Sequence, residues 1–132
     1  MIYPIVTARY AAVLALVFAV LSGWVIAGRF RFRVLHGDGG DDRMNRRIRA
    51  HGNCAEYVPF ILLLALLLEA GGTERWMIHA LLLPLVAFRV MHPVGMLAPV
   101  GSVQQYAFRG VSAAGTVAIL VVAALLLLSR VV

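Results

Sequence analysis

Two stretches without a charged residue, Tyr10 to Gly28 and Gly110 to Ser129, constrain this chain more than any other feature. Each is close to the ~20 residues that cross ~30 Å of hydrocarbon as an α-helix. The chain is 132 residues long, so two such helices cannot both be wrapped by the remaining sequence in water. Composition agrees: 62% of residues are hydrophobic and only 14% are charged, against about half and a quarter in soluble domains. The expectation is an all-α membrane protein, a four-transmembrane-helix bundle forming one domain over 1–132.

Punctuation along the chain places the other two crossings. After the first span, Gly37-Asp38-Gly39-Gly40-Asp41-Asp42 marks a water-exposed loop, and Asp41 or Asp42 can cap the next helix. Gly71-Gly72-Thr73 marks a tight turn, and Pro93, Gly95, Pro99 and Gly101 mark a loop. Helices are therefore expected over about 4–28, 44–70, 74–91 and 104–130. The apolar N-terminal run reads as a retained span, being too long for a signal peptide and lacking a basic leader.

All twelve basic residues are arginine, and the formal net charge is +6. They flank apolar spans without a stripe of interleaved aromatics, so the partners expected are the bilayer and an anionic ligand, not nucleic acid. The first and third loops with their flanks hold nine of the twelve, from Arg29 to Arg49 together with Arg89 and Arg109. By the positive-inside rule both loops are expected in the cytoplasm and both termini outside. The one cysteine, Cys54, forms no internal disulfide, and no Cys/His set has zinc spacing, so no metal is expected.

The second span opens on charge. At ~100° per residue, Arg46, Arg49, Asn53 and Glu56 fall within an arc of about 80° on one helix face, whereas His51 points elsewhere. The apolar part, Tyr57 to Leu68, is too short to span alone, so the polar part enters the membrane zone as well. An ionised group there costs ~2.5–3.5 kcal/mol and faces the bundle interior or an aqueous cavity. Arg forks match carboxylates, cations hold a thiol as its thiolate, and Glu56 can receive an ammonium. The complement is a ligand with carboxylates, an ammonium and a thiol; glutathione fits, as do other anionic peptides.

The segment Arg46-Arg47-Ile48-Arg49-Ala50-His51-Gly52-Asn53-Cys54-Ala55-Glu56-Tyr57-Val58-Pro59 closely resembles the signature of the MAPEG family, membrane-associated proteins in eicosanoid and glutathione metabolism. Gly37-Asp38-Gly39-Gly40 resembles the first loop of its bacterial members, and Arg89-Val90-Met91-His92 extends the likeness over the chain. The resemblance implies a homotrimer of four-helix subunits in the bacterial inner membrane, with glutathione as co-substrate between subunits. It implies that Arg46, Arg49, Asn53 and Glu56 bind glutathione, with His92 and a helix-one arginine, Arg33 or its neighbours Arg29 and Arg31. It implies that Arg109 stabilises the thiolate. The activity implied is a glutathione S-transferase or peroxidase acting on a lipophilic small molecule.

The sequence also departs from the family pattern. Met96 stands where members often carry a tyrosine, and Gly110 and Ala113 replace a serine and a tyrosine beside the thiol-activating arginine. These replacements leave a non-catalytic membrane binding or scaffold protein of the same fold as the alternative.

Overall fold

The structure, a computed structural model, describes residues 3–131. Met1, Ile2 and Val132, which the expected domain 1–132 takes in, lie outside the described residues. Four helical segments are long and apolar enough to cross a membrane. Three are α1 (Ile5–Phe32), α2 (Asp42–Ala70) and α3 (Arg75–Leu97). The fourth begins as a short helix α4 (Val103–Gln105), widens into a π turn over Tyr106–Gly110, and continues as α5 (Val111–Val131). No strand occurs among the described residues.

Each boundary has a local cause. α1 stops at Arg33, whose left-handed backbone (φ 56°) returns its N–H to the Arg29 carbonyl. Gly39 and Gly40, both at positive φ, carry the chain round. The Asp41 carboxylate then accepts from the backbone N–H groups of Arg43 (2.8 Å) and Met44 (3.2 Å), fixing the start of α2.

The third helix differs from the expectation. It runs six residues past Met91 and contains Pro93, which sequence reasoning assigns to a loop. Proline in a membrane helix frees one carbonyl, here that of Arg89, and is tolerated because surrounding protein can satisfy such groups. The stop comes at Ala98, held extended (ψ 153°) by the following Pro99. Glu74, expected in the first turn of this helix, is its N-cap residue, and its carboxylate accepts from Trp76 Nε1 instead of capping the backbone.

The bundle core is aliphatic, with Leu14, Ile61, Ala65, Ile78, Leu82, Leu85 and Ala123 all essentially inaccessible. Small residues set the close approaches. A Cβ on Gly115 would run into the Phe88 ring, and one on Gly95 would lie 2.6 Å from the backbone nitrogen of Arg109. Near the basic end, Arg47 donates to the Trp24 carbonyl at 2.8 Å and lies over the Trp24 ring, while Arg43 lies over Phe32. These guanidiniums join α1 to α2 through dipoles and ring faces. At the other end, buried Glu69 accepts from the backbone N–H groups of Val6 (2.9 Å) and Thr7 (2.7 Å). The last turn of α2 thus supplies the cap that the first turn of α1 lacks locally.

Candidate functional site

The basic end of the bundle carries a recess of about 510 Å³, lined by Asp42, Asn45, Arg46, Arg49, Met96, Val100, Gln105 and Arg109. α2 supplies the first four, the end of α3 and the following loop supply Met96 and Val100, and α4 with its π turn supplies Gln105 and Arg109. Three guanidiniums against one carboxylate make it a cationic cavity.

The arginines differ in how committed they are. Arg46 is half-buried and donates through Nε to Asp42 (2.7 Å) and through Nη1 to the carbonyls of Met96 (3.0 Å) and Ala98 (3.1 Å). It thereby satisfies the C-terminal carbonyls of α3, where a cation also suits the helix dipole. Arg49 and Arg109 are exposed, and among the described residues neither makes an ion pair. The Asp41 carboxyl beside the recess is held below its usual range by its hydrogen bond to the Arg43 guanidinium, burial opposing and the backbone bonds assisting.

The polar stripe on α2 is divided by what packs on it. Arg49 and Glu56 are exposed on the outer surface of the chain. Asn53 is turned towards the core, where its side-chain oxygen accepts from Arg89 Nη1. Of the remaining residues expected at the site, His92 is buried and lies 3.3 Å from the Ser112 hydroxyl, away from the recess lining. Arg33 lies in a separate recess with Ile26, Arg29, Phe30, Val34 and Leu35. Arg31 is the helix-one arginine that approaches Arg46, in an adjoining recess that also holds Arg43 and Arg47. His51 turns away from the stripe, with Nε2 3.1 Å from Ser22 Oγ and its ring stacked on Phe18.

Sequence reasoning missed Arg89 as a central residue. It is 1% exposed and donates to Asn53 on α2 and to Thr116 Oγ1 and the Ser112 carbonyl on α5. Its charge is met by amide, hydroxyl and carbonyl dipoles, which is how buried cations persist without a carboxylate. The signal available was its place three residues before His92, one turn of helix apart, on what proves to be the inner face of α3.

The model of the MAPEG family matches residues 7–129. The chain belongs to the MAPEG family. This MAPEG chain is also 41% identical over 90 residues to Inner membrane protein YecN of Escherichia coli strain K12, covering 68% of this chain and 69% of that protein. The YecN of Escherichia coli O6:H1 strain CFT073 matches to the same extent. No solved structure matches this MAPEG chain significantly. The family is one of four-helix membrane bundles, as observed, and is generally associated with glutathione.

Proposed function

We propose that this protein is a glutathione-dependent membrane transferase acting on lipophilic electrophiles, working as a homotrimer in a bacterial inner membrane. The observation that carries the reading is the cationic recess that Arg49 and Arg109 both line, neither with an ion-pair partner among the described residues. Arg49 takes a carboxylate of the tripeptide in fork geometry, Glu56 takes its ammonium, and Arg46 adds positive charge at the recess wall. The Asn53 amide, its oxygen on Arg89, offers its nitrogen to the ligand. Arg109 faces the sulfur. The thiol gives up its proton to solvent, the thiolate attacks an electrophilic carbon entering from lipid, and the C–S bond forms as the leaving group departs. Thiolate population near neutral pH rises as a nearby cation lowers the thiol pKa.

The trimer is supported by the outward aspect of Arg49 and Glu56. Two charged side chains exposed laterally at membrane depth are costly, and a second copy against α2 shields them. The arginine asymmetry supports an orientation with the basic loops on the cytoplasmic side. A non-catalytic binding protein is the second reading, favoured by Met96, Gly110 and Ala113, where the family pattern noted above has tyrosine or serine.

Calorimetric titration of the detergent-solubilised protein with glutathione tests the binding step. Binding is expected, and Glu56→Ala should weaken it at least ~10-fold, which corresponds to about 1.4 kcal/mol. No binding, or equal binding by the variant, overturns the reading. Conjugation of an aromatic electrophile separates the two readings: loss of rate in Arg109→Ala supports the transferase, and equal rates support the binding protein.

A further inference from the structure

Ser112 lies just beyond the π turn and is completely buried. Its hydroxyl donates back to the turn's carbonyls, to Phe108 and, at 3.2 Å, to Arg109. The hydroxyl has one hydrogen, so the bond to His92 at 3.3 Å has His92 donating through Nδ1. Arg89 donates to the Ser112 carbonyl and to Thr116 Oγ1, and Thr116 Oγ1 itself donates to the Ser112 carbonyl at 2.7 Å. Behind the turn, Gly95 meets the backbone of Phe108 and Arg109 with no room for a Cβ.

A π turn is a weakened stretch of ladder, and such turns concentrate at functional sites. Tyr106 to Gly110 has no buried side chain to hold it, so polar anchoring from α3 and α5 and the contact at Gly95 fix its position. Arg109 rides on this turn.

We propose that Ser112 is a positioning residue for Arg109, itself held from inside the bundle by Arg89 and Thr116. This deepens the transferase reading and rests on it: Ser112 does not touch the ligand but fixes the turn that presents the guanidinium to sulfur.

The test uses the full-length protein in detergent with glutathione as the probe. The ultraviolet absorbance of bound thiolate is titrated against pH for wild type, Ser112→Ala, Thr116→Val, Arg109→Ala and the Ser112→Ala/Arg109→Ala double variant. Ser112→Ala should raise the apparent thiol pKa by about one unit, a ~10-fold lower thiolate fraction near neutrality, with the glutathione Kd within ~2-fold of wild type. Thr116→Val, nearly isosteric, should shift it in the same direction. The double variant should match Arg109→Ala alone, since Ser112 acts through Arg109. A wild-type titration in Ser112→Ala, or additive shifts in the double variant, overturns the proposal.

Amide hydrogen exchange without glutathione gives an independent reading. Ser112→Ala and Thr116→Val should each speed exchange ~10-fold or more over residues 106–112 and leave α1 unchanged. Failure of glutathione to bind wild type therefore refutes the transferase reading alone. Unchanged exchange in both variants refutes the positioning role even where glutathione binds.

Discussion

Replacing Glu69 measures how much the bundle depends on one helix capping another. Its two carboxylate oxygens accept from Val6 N–H at 2.9 Å and Thr7 N–H at 2.7 Å, and all three residues are at most 3% exposed. Hydrogen bonds to charged groups contribute about 1.5–3 kcal/mol each, and loss of a conventional N-cap costs ~0.5–2 kcal/mol. Taking the low end of the charged-bond range for each of the two bonds, ~1.5 kcal/mol, sets the least cost expected. Glu69→Ala should then cost ~3 kcal/mol. Glu69→Gln keeps one acceptor oxygen but loses the charge facing the helix dipole, and should cost ~1.5 kcal/mol. Reversible unfolding in mixed micelles, followed by far-ultraviolet dichroism, gives both values, and exchange at Val6 and Thr7 localises the effect. A Glu69→Ala protein within ~0.5 kcal/mol of wild type would refute the reasoning, because the bonds would then be replaced by solvent at no net cost.

Two further predictions follow from geometry alone. Gly115→Ala drives a methyl group into the Phe88 ring; overpacking of this kind costs ~1–3 kcal/mol, and Gly115→Ala/Phe88→Leu should recover most of it in the same unfolding assay. Asp41 has a folded pKa below the ordinary value, so its contribution is complete above the ordinary carboxylate range near pH 4 and is lost as pH falls through the lower folded value. Fraying at Arg43 and Met44, read by amide exchange, should therefore increase only on acidification below about pH 4, and Asp41→Asn should flatten that dependence.

The four crossings were legible because the bilayer sets a length that few other constraints mimic. The polar stripe on α2 was legible because helical periodicity needs no partner to compute. What the partners did to it was not. Pro93 reads as a loop marker, yet α3 continues to Leu97, about 9 Å further at 1.5 Å per residue. That extension carries Arg89 from a presumed flank into the core and brings it against Asn53. Helical periodicity groups Asn53 with Arg49 because it describes one helix alone; the packing of α3 turns one inward and leaves the other exposed. Glu69 was illegible for a related reason: its partners are 62 and 63 residues away, and no local pattern encodes a cap shared between helices. Arg109 was named from resemblance, but the π turn beneath it has no signature in residue type.

That turn has a consequence for how the chain tolerates insertion and deletion. Five residues fill the space where a regular helix would place about four. Removing one residue between Tyr106 and Gly110 would restore an even ladder with the flanking segments kept in phase, and would re-space only the side chains inside the turn, Arg109 among them. Arg109 would meet the recess at a different angle without any side chain being substituted. A length change of one residue in this segment therefore alters chemistry before it alters the fold, and homologous chains that differ by one residue there should present a different side chain to the same cavity.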